Sequence, residues 1–340
     1  KANTRNKLKK NLSSLFLNST ANKNKNKTIL LEFSNWSFNH FASAYVCDIL
    51  SKKYNAKIEA FASYPLTTTR LERNLFENFL WIVGNLLSLK TFGIYRSFGT
   101  KNILWPKINY AMQKKAINEF KKFEKNINSK EDIQNYKVNN ILIGDLIYDS
   151  YLKRTLDPTI DITSLRFKSF FLDSLKLFFY WDSYFIKNDI RALILFHSVY
   201  LGAIPLRIGM SKNVPTYILN INKLYKLNKN RIFSGIEYLD FKMLFKKLSN
   251  IEKIKSLKIA KKKISERFSG ILSSELIWAK KSAYSKNKNS NKVLVKSKRI
   301  KILIAAHSFC DSPHIYGKFF FPDFYVWLDN LGRVSNETNY

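Results

Sequence analysis

The chain has 340 residues, 46% hydrophobic and 15% aromatic, and a formal net charge of +33. That length allows two domains of ordinary size, and the apolar content excludes a mostly disordered chain. The charge points to an anionic partner, whether nucleic acid, a membrane surface or a phosphate-bearing substrate. Lys and Asn fill polar positions throughout, however, as coding sequence from an AT-rich genome would dictate. The two cysteines, Cys47 and Cys310, form no CxxC or zinc spacing, which suits a cytosolic protein. The chain starts without Met and stops in a polar run, as a fragment would.

In chain order, residues 1–27 read as a basic disordered tail without a secretory signal. Residues 28–33 form a first strand. Ser37 caps a helix whose apolar positions run from Phe38 to Leu50 at helical spacing. Residues 56–62 alternate as a second strand, and a helical stretch covers 69–89. Its apolar part, Phe79–Leu89, is too short to span a bilayer. It suits either a core helix or, with Arg70, Arg73 and Arg96 nearby, a helix lying in a membrane interface. Residues 91–95 are β-prone, and 108–127 are amphipathic. Residues 141–145 read as a buried strand, with Asp145 capping a helix from about 146. Residues 164–187 are an aromatic core helix. A strand at 192–196, a helix at 199–210 and a strand at 214–219 imply a parallel pair with a right-handed crossover. Residues 237–280 are helical and basic, and 281–299 form a Ser/Asn/Lys linker. A fresh strand, 300–306, precedes a last helix from Pro322.

The expected fold class is therefore α/β. One Rossmann-like domain, 28–280 with its helical connection, has strands 28–33, 141–145, 192–196 and 214–219 in one mainly parallel sheet. After the linker, 300–340 opens a second, incomplete Rossmann-like domain.

Phosphate-loop, GxGxxG, GxSxG and HExxH motifs are absent, and no clustered His/Cys set suggests a metal. The chemistry available sits just after apolar runs, at the carboxyl ends of strands, where open α/β sheets bind ligands. His197, Asp145 and His307 stand there, with Asp149, Asp311 and His314 close behind. His197 and Asp145 are the candidate bases. Equally, Asp145 could serve as a helix cap, Asp149 could pair with Lys153, and His197 could be a core histidine.

Residues 141–154, ILIGDLIYDSYLKR, resemble an IGDLIYDSYLR segment of bacterial proteins from surface-polysaccharide gene clusters. The run His197-Ser198-Val199-Tyr200 with Gly202, Ile204-Pro205 and Arg207 is similar to their H-x-x-Y…G-I-P-x-R segment. Residues 305–314 resemble the first loop of their C-terminal domain. The resemblance spans roughly 28–334 and is to capsule-polysaccharide synthesis proteins and GT-B-type glycosyltransferases. It implies two facing Rossmann-like domains, acceptor on the first and nucleotide-sugar donor on the second. It also implies substrate contacts at Tyr148, Tyr200, Arg207, His307, Ser308, Asp311 and His314. Most of the donor domain and a later His-Pro motif have no counterpart here, so this chain alone should bind donor poorly.

The function expected is sugar transfer from a nucleotide sugar to a glycan or lipid-linked acceptor, with no cofactor or obligatory metal. The protein would be cytoplasmic or peripheral on the inner face of the membrane, with an anionic membrane surface as a further partner and no specific nucleic acid. Two alternatives stay open: a basic nucleic-acid-binding protein using lysines and stacked aromatics, and a non-catalytic scaffold of a polysaccharide assembly complex.

Overall fold

The computed structural model describes residues 6–7, 10–13, 24–62, 75–220, 223–236, 238–272, 303–304, 306–316 and 320–338. The chain divides into two compact units, 1–234 together with 305–339, and 235–304. Eight strands occur among the described residues: β1 (Asn24–Phe33), β2 (Ala56–Ala62), β3 (Thr100–Leu104), β4 (Lys137–Val138), β5 (Ile141–Leu142), β6 (Asp189–Leu195), β7 (Thr216–Asn220) and β8 (Lys223–Leu227).

Six of them make one sheet in the order β3-β2-β1-β6-β7-β8. All its pairings are parallel except β7 with β8. Side chains alternate between two apolar layers, as the period of two requires. Leu30, Phe61, Leu193 and Leu195 enter one core, with the helices Tyr110–Asn126, Gly144–Thr155, Leu165–Lys187 and Ile204–Ser211. Ile29, Leu31, Ile58, Ala60, Ala192 and Ile194 enter the other, with the helices Ser37–Tyr54 and Lys90–Ser97. Burial on both faces is why these strands read as nearly continuous apolar runs.

Residues 141–145 depart from expectation. Only Ile141 and Leu142 are extended, and they pair antiparallel with β4 in a separate two-stranded hairpin. Asn139 and Asn140, with φ of 50° and 62°, form its turn, as a two-residue hairpin loop with positive φ at both positions requires. The Ile143 and Gly144 N–H groups both donate to the Tyr136 carbonyl, at 3.1 and 3.0 Å, and the helix begins at once. Asp145 thus lies in the first turn rather than at the cap. Gly144 sits so close to this loop that a Cβ would stand 1.8 Å from the Ile133 oxygen.

Residues 91–95 are helical, within Lys90–Ser97, and the neighbouring strand is β3. The crossover after β6 is a 3₁₀ turn, Leu201–Ala203, followed by the helix Ile204–Ser211. Part of the expected tail is structured: residues 10–13 are helical with Leu12 buried, and 24–27 belong to β1. The linker at 281–299 lies outside the described residues. Of the expected strand 300–306, residues 303, 304 and 306 are not extended, and the others lie outside the described residues. The helices Tyr238–Lys247 and Asn250–Phe268 belong to the second unit, whereas the C-terminal segment clusters with the first. Buried polar contacts to the helix Gly144–Thr155 hold that segment there.

Candidate functional site

The chain leaves β1 for β2 and β3 on one side and leaves β6 for β7 on the other, so connections reverse between β1 and β6. Outside the carboxyl ends of such a pair lies the crevice where open α/β sheets bind ligands. The loops 34–36 and 196–200 flank it. Glu32, buried near the end of β1, accepts the Phe196 N–H on Oε2 at 2.6 Å and clamps the two strand ends together.

The first loop is held at each residue. Tyr95 Oη accepts the Ser34 N–H at 2.8 Å and donates to the Glu32 carbonyl at 2.9 Å. Burial raises the Tyr95 pKa well above its ordinary value, so it stays a donor. His40 Nε2 donates to the Ser34 carbonyl at 2.9 Å, and Thr91 donates to Asn35 Oδ1 at 2.8 Å. Trp36, half exposed, then meets the His197 ring edge-on at 5.2 Å. In the second loop Ser198 Oγ accepts the Ser234 N–H at 3.0 Å. Tyr200 holds φ at 61°, a strained conformation for a Tyr, costing about 1–3 kcal/mol.

Tyr200 leads from the crevice into the C-terminal segment. Its Oη donates to Asp311 Oδ1 at 2.7 Å and accepts from Ser312 Oγ at 3.0 Å. Lys153 Nζ joins the same carboxylate oxygen at 2.9 Å. Burial pushes the Asp311 carboxyl up, but hydrogen bonds from Lys153 and Tyr200 and the Lys153 charge hold it below the usual range. Burial and Asp311 raise the Tyr200 pKa.

Deeper lies a second polar cluster. Tyr148 donates to Asp323 Oδ2 at 2.6 Å, as does Thr159 at 2.5 Å, and Asp323 Oδ1 caps the helix Phe324–Glu337 through the Val326 N–H. Burial and the Asp323 charge push the Tyr148 phenol up. His314 Nδ1 makes a short contact with Asp149 Oδ1, and its Nε2 faces the Pro322 carbonyl at 3.1 Å. A carbonyl only accepts, so Nε2 carries a proton, and the Nδ1–Oδ1 contact needs one more between its two atoms. Burial works against charge on the His314 ring, but the Asp149 carboxylate outweighs it and holds its pKa above the ordinary value. Burial likewise raises Asp149.

Asp145 Oδ2 pairs with Arg207 Nη2 at 2.6 Å, both side chains buried, and the guanidinium lies 5.0 Å over the Phe233 ring. Both candidate bases are therefore placed: His197 at the crevice, and Asp145 inside an ion pair away from solvent. Tyr200 and Asp311 meet each other, while Tyr148 and His314 meet buried carboxylates. His307 is exposed, 5.6 Å from the Phe324 ring, and Ser308 is exposed beside Cys310. The sequence alone does not mark Trp36, Glu32 and Asp323 as site residues. An Asp between Pro322 and an apolar helix carries a cap signal, whereas nothing local marks Trp36 as the partner of His197.

Among the described residues no group of three or more His, Cys, Asp or Glu could hold a metal ion, and no helix is long and apolar enough to cross a membrane. No protein-family model, curated protein or solved structure matches the chain.

Proposed function

We propose that the first unit is the acceptor-side part of a glycosyltransferase of bacterial surface-polysaccharide synthesis, using a nucleotide sugar as donor and a glycan or lipid-linked glycan as acceptor. The observation that carries this reading is the Trp36–His197 pair at the ends of β1 and β6. A half-exposed indole offers an apolar platform for the C–H face of a sugar ring, with a polar edge for its hydroxyls. Imidazole is the side chain suited to taking a hydroxyl proton near neutral pH. In the proposed step the acceptor oxygen bonds to the anomeric carbon, the bond from that carbon to the nucleotide phosphate breaks, and the hydroxyl proton passes to His197. The loops beside the pair are tied down by Tyr95, Glu32 and Ser234, which keeps both groups placed before substrate arrives.

The nucleic-acid alternative gains no such support. Many of the aromatics it would stack on bases are engaged in core ring contacts, including Phe123 with Phe171 and Phe61 with Trp181.

The test is saturation-transfer NMR of the full chain with bacterial capsule oligosaccharides, UDP-N-acetylglucosamine and GDP-mannose. Oligosaccharide protons should receive saturation. Trp36→Ala should weaken binding about 10-fold, a loss of about 1.4 kcal/mol, at unchanged melting temperature. Absence of binding by every probe, or binding indifferent to Trp36→Ala, would overturn the reading.

A further inference from the structure

In the loop 196–200, which leaves β6 for the crevice, every residue but His197 is buried. The loop ends on Tyr200, whose φ of 61° and ψ of 176° lie where glycine alone sits without strain. The Tyr200 phenol accepts the Ser312 hydroxyl at 3.0 Å and donates to Asp311 at 2.7 Å. Ser312 is buried and has a positive φ of its own, 48°. One hydrogen bond thus joins two positive-φ residues that lie 112 apart in the chain, neither of them glycine.

Such a conformation persists only where its surroundings over-determine it. Beyond Tyr200 the backbone is fixed: the Leu201 N–H donates to Ser150 Oγ at 2.8 Å, and the Tyr200 carbonyl accepts the Ala203 N–H at 2.9 Å. The side chain is fixed by Asp311 and Ser312. Rotation about the N–Cα bond of Tyr200 moves the preceding residues against that frame. Phe196 is bonded to Glu32 and Ser198 to Ser234, so the adjustment falls on His197 and Val199. Without the phenol bonds the chain can relax toward negative φ, and His197 then leaves its edge-on position 5.2 Å from the Trp36 ring.

We propose that Tyr200 is a positioning residue through which the C-terminal segment sets His197 against Trp36, so that the crevice is complete only while Asp311 and Ser312 hold the phenol. The proposal rests on the sugar-transfer reading for what His197 does, but not for how His197 is held.

NMR of the full chain, isotope-labelled at histidine and tryptophan, tests it without substrate. A nuclear Overhauser contact between the His197 and Trp36 rings, assigned with His197→Gln and Trp36→Phe, should be present in the wild type. Tyr200→Phe should lose it and shift the His197 ring signals. Ser312→Ala, outside the loop, should shift them in the same direction, which keeps the test decisive if Tyr200→Phe does not fold. Tyr148→Phe is the matched control, because it also removes a buried phenol bond to the segment, at Asp323 rather than Ser312. It should lower the melting temperature by a comparable amount and leave the His197 signals in place. A ring contact retained in both Tyr200→Phe and Ser312→Ala, or lost equally in Tyr148→Phe, would overturn the proposal. If no saccharide binds the wild type while Tyr200→Phe still releases His197, the sugar-transfer reading falls and the positioning role stands.

Discussion

His314 and Asp149 hold a proton between them inside the first unit, although 165 residues separate them in the chain. Tyr148, one residue before Asp149, reaches Asp323 in the same way. The helix Gly144–Thr155 thus binds the C-terminal segment through polar groups excluded from water. Such pairs weigh more as constraints than as net stability, because losing one partner strands the other.

This pair gives stability a pH dependence whose sign can be worked out. The folded His314 pKa lies above its ordinary 6.5. A raised histidine pKa contributes stability that is fully present below the unfolded value and is lost as pH rises through the folded one. The melting temperature should therefore fall as pH rises above about 6.5, and His314→Gln should flatten that slope. A profile that is flat for wild type, or as steep in the variant, would contradict the shared proton.

The Asp145–Arg207 pair makes a second case. Arg207→Met strands a buried carboxylate and should cost about 3–5 kcal/mol. Asp145→Leu combined with Arg207→Met removes both charges and should recover most of that loss. Chemical denaturation of the single and double variants gives the comparison. Additive losses would mean that the two groups do not depend on each other.

The strands β1, β2, β6 and β7 were legible because burial on both faces leaves a short apolar run bounded by polar loops. The same signature misled at Ile141-Leu142-Ile143, where a helix buried along residues 144–152 begins with an apolar run too short to show a period. Asn139-Asn140 carried a hairpin signal beside it. His197 was legible as a strand-end residue because placement there is local. The partners of Tyr148, Tyr200 and His314 lie 111 to 175 residues away, and no spacing rule reaches that far.

Glycine at 144 is open to a direct check of sign. Alanine normally stabilises a helix interior by about 0.5–1 kcal/mol relative to glycine. At Gly332, in the helix Phe324–Glu337, nothing lies within 4 Å of an added Cβ, and Gly332→Ala should show that gain. At Gly144 the Ile133 oxygen stands in the way, and Gly144→Ala should lose about 3 kcal/mol by overpacking. Shifts of the same sign at both sites would mean that the hairpin gives way to the new methyl.

The C-terminal segment should behave as part of the first unit even when its chain connection is cut. Gln134 Nε2 donates to the Pro322 carbonyl at 2.5 Å, Lys153 pairs with Asp311, and the Tyr148 and Asp149 contacts lie between them. With a protease recognition sequence inserted after Ser290, cleavage should give two fragments that co-elute on size exclusion and melt together. Tyr148→Phe removes the phenol that Asp323 accepts from and should weaken that association. Asp149→Asn should weaken it further, because the amide gives up the charge held against His314. Lys153→Met should matter least, since that pair is half exposed and is worth about 0.5 kcal/mol. A C-terminal fragment that elutes alone from the cleaved wild type would mean that the buried pairs do not hold the segment in place.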